Sequence, residues 1–305
     1  MKKDAPLQTF PPHLIWLLAG LTLGWGLNWP IMKAVLFEMA PLHFRTLCLL
    51  FGAAGLFAIA RMGSLPIRIP KGQWPQTIAI ALVNTMAWNI FAVYGVQLMA
   101  SGRAAILGYT MPVWSVIIAT WFLKEPFTKR RALGCILGGA GLLLLLGEEI
   151  QAVGRSLLGA ILMTGAAVSW AVGTIMIKRW PVSLPASAFT AWQLLISAPP
   201  LFFFAVVFES GTFNPFALSL WPMLGVFYNL FVVFIFCYWA WTKIVLVAPV
   251  GVSSLSVMMI PVVGVFSGML LLGETPHWQD YAALLLVVTS LATVLMPAKP
   301  ITPGS

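Results

Sequence analysis

Ten long, predominantly apolar stretches follow one another along this chain, and they restrict its fold more than any other feature. A membrane-spanning helix needs about 20 such residues, because the hydrocarbon core is about 30 Å thick and a helix rises about 1.5 Å per residue. Only 8% of the residues are charged, against about 25% in a soluble domain. The sequence therefore predicts an all-α polytopic membrane protein. The predicted spans are 14–37, 44–61, 75–98, 103–123, 131–147, 157–178, 187–208, 219–242, 250–272 and 279–296.

The connections between the predicted spans are short, so none of them can fold as a separate soluble domain. Only GEEIQAVGRS separates the fifth span from the sixth, and nine spans are therefore the alternative count. The first span follows a basic start but is too long for a signal-peptide core, so we expect it to remain uncleaved. We assign residues 1–13 and 297–305 to terminal tails.

The basic residues are distributed unevenly between the two sides that ten spans create. The formal net charge is +9, yet a chain so poor in charge cannot form a basic groove for nucleic acid. Thirteen Lys and Arg residues fall on the side of the termini, and four fall on the other side: Lys33, Arg45, Arg103 and Arg155. Because cytoplasmic loops carry the excess of basic residues, we expect both termini in the cytoplasm of a bacterial inner membrane. The partner of this basic rim is then anionic lipid.

The two halves of the sequence are similar to each other. Residues 24–33 (GWGLNWPIMK) align with residues 169–178 (SWAVGTIMIK) at an offset of 145, and residues 102–125 align with residues 251–274 at an offset of 149. Chance similarity between apolar segments is the alternative, but Trp, Pro and Glu matches in the same order are harder to obtain by chance. The chain is thus predicted to consist of one repeat at 14–147 and a second at 157–296.

Each predicted repeat contains five spans, which is an odd number. The second repeat therefore enters the membrane from the opposite side, and the two form an inverted pair. Such pairs are typical of secondary transporters, in which the substrate lies near the midplane between the halves and access alternates between the two sides.

The mid-span prolines followed by Leu123-Lys124-Glu125 and by Leu272-Gly273-Glu274, together with the five-plus-five arrangement, resemble the EamA-type transporters of the drug/metabolite transporter superfamily. The resemblance covers residues 14–296. The first, third and sixth spans, rich in Trp and Asn, are most similar to those of the bacterial aromatic amino-acid exporters. The resemblance implies a ten-helix bundle around a central cavity lined by spans 1, 3, 4, 6, 8 and 9.

Pro112 and Pro261 fall near the middle of the fourth and ninth spans. Each proline removes a backbone donor, so the carbonyls of Gly108 and Val257 lose their helical partners. In lipid, such carbonyls must face protein or a wet cavity. We therefore predict that both helices are kinked and act as hinges at the transport site, with purely structural kinks as the alternative.

Three tryptophans, Trp25, Trp88 and Trp170, lie near span centres, where anchoring at the membrane interface does not explain them. Asn84 lies four residues before Trp88, hence on the same helical face, and polar groups at this depth should face protein or water. An amide beside indole rings suits a zwitterion with an aromatic side chain. The predicted substrate site is Trp25, Asn28, Asn84, Trp88, Tyr109 and Trp170, with core packing of these side chains as the alternative.

Three further sequence patterns say less about function. Met258 and Met259 could add an adaptable apolar wall, although core filling is favoured. No Asp or Glu lies near the centre of a span, so we expect a uniporter or proton coupling through rim groups such as Glu38. The pattern Gly134-x-x-x-Gly138 permits close helix packing; packing within the chain is favoured over a dimer face, and a monomer is expected.

These observations predict a secondary transporter that exports amino acids, most of all aromatic or bulky apolar ones, and related amphipathic metabolites or drugs. A uniport-type facilitator or a channel would tolerate the same polar lining and is the alternative. An intramembrane enzyme needs a nucleophile, an acid–base pair or a metal cluster within the membrane, and no such motif occurs. We expect no cofactor and no metal, and the scattered Cys48, Cys135 and Cys237 suit neither a disulfide framework nor a metal site.

Overall fold

The computed structural model describes residues 12–151, 155–247 and 250–295, and within these ranges ten long helices follow one another. The helices are α1 (Pro12–Val35), α2 (Pro41–Met62), α3 (Trp74–Leu98), α4 (Ser101–Phe122), α5 (Lys129–Gln151), α6 (Arg155–Arg179), α7 (Ala186–Phe208), α8 (Leu220–Ile244), α9 (Val250–Leu272) and α10 (Trp278–Leu295). Most of the two predicted tails, 1–13 and 297–305, lies outside the described residues. Pro12 and His13 belong to α1 instead.

Nine of the helices in the described ranges are long and apolar enough to cross a membrane by themselves. The tenth, α9, has 23 residues, and its segment Val257–Leu272 is apolar. Lipid offers no hydrogen-bond partner to a peptide group, so apolar spans of this length satisfy their backbone by forming helices. The chain is therefore an all-α polytopic membrane protein, and each of the ten predicted spans corresponds to one helix.

Helix contacts repeat between the two halves of the chain. Helix α1 packs against α9 and α8, α6 packs against α4 and α3, α2 packs against α7, and α5 packs against α10. Exchanging α1–α5 with α6–α10 converts the α1–α9 contact into the α6–α4 contact, and the α1–α8 contact into the α6–α3 contact. The α2–α7 and α5–α10 contacts convert into themselves. Two five-helix repeats of opposite insertion thus form one bundle around a central cavity.

The bundle has two faces, which we name by the helix ends they contain. Helix α1 begins and α10 ends on the terminal face. Successive helices run in opposite directions, so α4 begins and α9 ends on the opposite face. A continuous hydrophobic core of buried side chains links the halves between the two faces.

Equivalent helices of the two repeats, α3 and α8, each contain a π-helical segment. The segments are Ala81–Ala87 in α3 and Asn229–Cys237 in α8. A π turn closes its hydrogen bond to the fifth residue instead of the fourth, so it holds more residues than an α turn, and such segments are frequent at functional sites.

The two predicted proline kinks have different outcomes. Helix α4 is interrupted between the segments Ser101–Gly108 and Met111–Phe122, and Pro112 lies at the start of the second segment. Pro261 lies inside the uninterrupted helix α9, so the structure does not show the second break. The two repeats are thus related in topology but differ in the shape of their fourth helix.

Glycines of α5 pack against α10. A Cβ at Gly134 or Gly138 would collide with side chains of α10, and the hydroxyl of Ser290 donates to the Gly134 carbonyl at 2.6 Å. Gly139 points away from these contacts, with nothing within 4 Å of its Cβ position. The small-residue pattern therefore serves packing within the chain.

We predict that Gly138→Ala destabilises the protein, whereas Gly139→Ala does not. The new Cβ at position 138 would overlap Val113 and lie 2.9 Å from the Ser290 hydroxyl, and overpacking of a core costs about 1–3 kcal/mol. Alanine at position 139 meets open space and favours the helix over glycine by up to about 1 kcal/mol. Thermal melts of the two detergent-purified variants test this, and equal melting temperatures would contradict the packing described.

A central cavity as the candidate substrate site

A cavity of about 100 Å³ lies inside the bundle and is continuous with the wider space described below. By itself this volume is smaller than that of typical small-molecule sites, which span about 300–1,000 Å³. Its wall is contributed by α1, α2, α3, α4, α6 and α8. The lining residues are Trp25, Asn28, Trp29, Met32, Arg45, Trp88, Asn89, Ala92, Tyr109, Met111, Trp170, Val233, Phe234 and Tyr238.

Aromatic side chains form most of this wall and contact one another in pairs. Trp88 of α3 and Trp170 of α6 lie 5.2 Å apart between ring centroids, with 63° between their planes. Trp25 and Tyr238 make an edge contact at 5.8 Å and 82°. Such inclined pairs are a favoured arrangement of aromatic rings. Each of these two pairs joins a helix of the first repeat to a helix of the second.

Five of the six side chains predicted for the substrate site line the cavity together: Trp25, Asn28, Trp88, Tyr109 and Trp170. Asn84 does not line it. The Asn84 amide donates to the Trp170 carbonyl at 3.1 Å, and Gly173 of α6 packs directly on the Asn84 side chain. Asn84 therefore positions the Trp170 backbone. Both Asn84 and Trp88 contact Trp170, so they share the face of α3 that meets α6, as their spacing predicts.

The amides at membrane depth divide into satisfied and unsatisfied groups. The Asn89 amide donates to the Thr85 carbonyl at 2.8 Å, and that of Asn229 donates to the Gly225 carbonyl at 3.0 Å. The Oδ1 atom of Asn28 is buried and has no hydrogen-bond partner among the described residues. An acceptor of this kind on a cavity wall is available to a ligand donor.

The methionines singled out from the sequence do not line the cavity. Met258 is buried, and Met259 is exposed on the outside of the bundle. In α9, Val257 contributes instead to the space that leads into the cavity. Two other residues, Trp29 and Met32 of α1, line the cavity although the sequence did not single them out.

Arg45 was also missed as a site residue by the sequence argument, which counted it among the basic residues of the opposite side, at the start of the predicted second span. The residue lies in the second turn of α2, is 4% exposed and lines the closed end of the cavity. Its guanidinium contacts the Met32 sulfur and lies 5.1 Å and 5.6 Å from the ring centroids of Phe44 and Phe234. The sequence feature that could have identified Arg45 as a buried residue is its position directly after Phe44, at the start of an apolar stretch. Helix α2 thus contributes to a cavity that the family resemblance assigns to other helices.

A wider space, the vestibule, connects the cavity to the terminal face. Its wall shares Trp25, Tyr109, Met111 and Trp170 with the cavity and continues past Pro112 and Ser115. Glu125, Arg131 and Lys178 line it near its mouth. Its volume is about 430 Å³. The cavity is therefore accessible from the terminal face.

Charged groups surround the mouth of the vestibule. Glu125 accepts a hydrogen bond from Arg131 at 2.7 Å and lies 3.6 Å from the Lys178 ammonium. Burial raises the pKa of Glu125, but the hydrogen bond from Arg131 and the charge of Lys178 outweigh this, so its pKa falls below the ordinary value. The carboxylate is thus ionised at neutral pH.

Polar contacts between the two repeats hold the opposite face together. The Glu274 carboxylate accepts hydrogen bonds from the backbone amides of Ser101 at 2.6 Å and Gly102 at 3.1 Å. These amides begin α4, where the helix dipole favours a negative charge. Arg103 on the next turn forms an ion pair with Asp280 at 2.6 Å.

Further polar contacts at this face involve Glu209, which joins the two repeats, and Lys33, whose contacts lie within the first repeat. Glu209 at the end of α7 accepts from the Leu42 amide at 2.9 Å and from the Tyr94 hydroxyl at 2.5 Å. Lys33 at the end of α1 donates to the carbonyls of Val96 and Met99 at 2.9 Å and 2.7 Å. Beneath these contacts, buried apolar side chains separate the cavity from the opposite face, among them Val35, Leu36, Val96, Ile106 and Leu107.

Within the described ranges, no group of three or more His, Cys, Asp and Glu side chains is placed to hold a metal ion. Cys48, Cys135 and Cys237 are free thiols. The groups that the cavity wall offers are aromatic faces, one unsatisfied amide oxygen and one buried guanidinium.

Comparisons with known proteins give a consistent result. The profile of the EamA-like transporter family matches residues 13–147 and again residues 157–296. The uncharacterized transporter YoaV of Bacillus subtilis is 29% identical, over 84% of this chain and 88% of that protein. A probable amino-acid metabolite efflux pump of Salmonella typhimurium is 25% identical, over 88% of this chain and 89% of that protein. One solved crystal structure shares the fold, with a TM-score of 0.66 and 18% identity over 93% of this chain and 96% of that one.

In a background without the three native cysteines, we predict that Ser115→Cys reacts with a membrane-impermeant thiol reagent added from the terminal face only. Ser115 lines the vestibule, whereas Ser267 is 5% exposed and lies outside it. Ser267→Cys is therefore the matched control and should remain unlabelled from both faces. Reaction of Ser115→Cys from the opposite face alone would contradict the assigned opening.

Proposed function

Because the chain belongs to the EamA-like transporter family, we propose that it is a secondary transporter that exports amino acids or related amphipathic metabolites by alternating access. The observation that carries this proposal is the central cavity, which opens through the vestibule to the terminal face and is closed at the opposite face. A site between two inverted repeats, accessible from one side at a time, is the arrangement that such transport requires.

The character of the wall supports a substrate with an aromatic or bulky apolar body. The indoles of Trp25, Trp88 and Trp170 present flat apolar surfaces, and the Asn28 amide offers a polar contact. Aromatic rings bind other rings and cations through their faces. Two of the relatives, from Salmonella typhimurium and Escherichia coli, are described as probable amino-acid metabolite efflux pumps, which agrees with this substrate class.

The direction of transport follows from the predicted orientation. The positive-inside rule places the terminal face in the cytoplasm of a bacterial inner membrane. The structure then corresponds to the inward-open state, in which an exporter receives its substrate. Ten helices and a cavity of this kind also fit a uniport-type facilitator, but a channel would need a path through the opposite face.

The equivalence of residues in the two repeats suggests which contacts stabilise the outward-open state. Glu125 is equivalent to Glu274, and Gly251 at the start of α9 is equivalent to Gly102 at the start of α4. Glu274 caps α4 and closes the opposite face, while Glu125 pairs with Arg131 and Lys178 at the open vestibule. We expect Glu125 to leave these partners and cap α9 when the terminal face closes.

A pair of equivalent lysines, Lys33 in the first repeat and Lys178 in the second, also differs between the closed face and the open face. Lys33 donates to carbonyls at the end of α3 on the closed face, whereas Lys178 is exposed on the open face beside Glu125. The carbonyls at the end of α8 are the equivalent acceptors for Lys178 in the outward-open state.

Glu38, the rim group predicted as a proton carrier, does not suit that role in this state. Its carboxylate accepts hydrogen bonds from the hydroxyl and the amide of Ser219 at 2.5 Å and 2.7 Å. These hydrogen bonds lower the pKa of Glu38 below its ordinary value, so the group stays ionised at neutral pH. Uniport or exchange is therefore the favoured mode of transport.

We predict that proteoliposomes containing the protein show counterflow: labelled phenylalanine outside is taken up faster when unlabelled phenylalanine is inside. Trp88→Ala should reduce the rate at least about tenfold, since an aromatic contact and its buried area are worth about 1.5 kcal/mol or more. Trp121→Ala, which removes an indole that is 81% exposed, is the matched control. Leakage without trans-stimulation would favour a channel, and product formation would favour an enzyme.

We predict that Glu274→Gln shifts the population away from the inward-open state. A neutral amide caps α4 less well than a carboxylate, and a loss of about 1 kcal/mol corresponds to about a fivefold shift. Labelling of Ser115→Cys from the terminal face should then slow, while labelling of an exposed Thr128→Cys stays constant. Unchanged labelling of Ser115→Cys would exclude Glu274 from closing the opposite face.

A further inference from the structure

We propose that Arg45 is the binding site for the carboxylate of the substrate, so that the central cavity selects solutes that carry a carboxylate next to an apolar or aromatic body. This inference rests on the proposed transport function and specifies its substrate class. Its basis is a buried guanidinium with free donor capacity at the closed end of a cavity that water can reach.

The charge of Arg45 has no counter-ion among the described residues. A guanidinium is effectively always protonated in a protein, and Arg45 is 96% buried, since only 4% of it is exposed. The titratable groups near it are the thiol of Cys48 and the phenol of Tyr238. Both groups are neutral near pH 7, because their ordinary pKa values lie near 8.5 and 10.

The hydrogen-bonding capacity of the guanidinium is also incompletely used. It has five N–H donors, and the described contacts comprise one to the Met32 sulfur, one to the Cys48 thiol and two to aromatic rings. The Nε atom is buried without a hydrogen-bond partner. A carboxylate with its two oxygens is the group that matches the planar fork of arginine.

A second polar group lies close to this position. Asn28 and Met32 are four residues apart in α1, hence on the same face of the helix, and Met32 contacts the guanidinium. The Asn28 Oδ1 atom is therefore about one helical turn from the Arg45 contact, on the side of the vestibule, and it has no described partner. An amide acceptor at this place suits the ammonium group of an amino acid whose carboxylate is on Arg45.

The remaining wall suits the body of such a substrate. Trp170 lines both the cavity and the vestibule and contacts Trp88 of the cavity wall, and Tyr109 lies at the break in α4. A bound amino acid would thus place its charged end at the closed end of the cavity and its side chain between the indoles. An amine or an amide of the same shape would leave the guanidinium uncompensated.

A structural role for Arg45 predicts a different result from a binding role. If the aromatic contacts of the guanidinium hold the fold together, its removal destabilises the protein. If the charge is retained for binding, removal relieves an uncompensated buried charge. The melting temperature of the substrate-free protein separates these two roles.

The first measurement compares melting temperatures of Arg45→Met and the parent protein without and with phenylalanine. We expect the variant to melt at the same temperature as the parent or higher without phenylalanine, and to lose the stabilisation by phenylalanine. Arg61→Met, which replaces an exposed arginine of the same helix, is the control and should retain that stabilisation. A lower melting temperature for Arg45→Met with stabilisation by phenylalanine retained would overturn the proposal.

The second measurement compares phenylalanine, phenylalaninamide and phenethylamine as competitors of labelled phenylalanine in counterflow. The parent protein should bind the acid about 10- to 100-fold more tightly than the other two compounds, as expected for charge-assisted hydrogen bonds. Arg45→Met should remove this preference by losing affinity for the acid alone, and Arg45→Lys should restore part of it.

Different results would overturn the proposed export function and the proposed role of Arg45. If the parent protein transports none of the three compounds and no other amino acid, the proposed export function is overturned. If the parent transports phenylalanine but binds all three compounds equally well, export stands and the role of Arg45 is overturned. If Arg45→Met discriminates among the three compounds as well as the parent protein does, the role of Arg45 is also overturned.

Discussion

The lack of hydrogen-bond partners in lipid is the constraint on which this structure depends. It requires each buried polar group to find a partner within the chain, and the helix ends of the opposite face meet this requirement through carboxylates. Glu209 and Glu274 from the second repeat accept from the first amides of α2 and α4 in the first repeat. The groups that satisfy helix ends are therefore also the groups that join the two repeats. Arg45 departs from this pattern, because its charge has no described carboxylate partner.

The architecture could be predicted from the sequence because it depends on long-range averages. Ten apolar stretches specify ten helices, and matches such as Lys33 with Lys178 indicate a repeat without knowledge of any contact. Helix boundaries were less certain, since they depend on local capping. Span two was predicted to begin at residue 44, whereas α2 begins at Pro41. That three-residue difference moves Arg45 from the second residue of the predicted span to the second turn of the helix, where it lines the cavity.

The candidate site was predicted in part, and its errors have local physical causes. Depth in the membrane identified Trp25, Trp88 and Trp170, which all line the cavity. Asn84 shares a face with Trp88, because both contact Trp170, but its amide is engaged by the Trp170 carbonyl and it does not line the cavity. A single sequence does not show which polar side chain has such an internal partner. Nor does it show whether a helix is divided at a proline, and α9 is continuous through Pro261.

Only one of the two equivalent proline helices is broken: α4 is divided at Tyr109 and Thr110, while α9 is continuous. An exchange of this difference between the repeats would convert the molecule into the state that opens to the other face, with α9 divided and α4 continuous. Because the two repeats share their topology, the break would move from one repeat to the other. Two end states of nearly equal energy then arise from the arrangement itself, and occupancy of the cavity needs only a small bias to select between them.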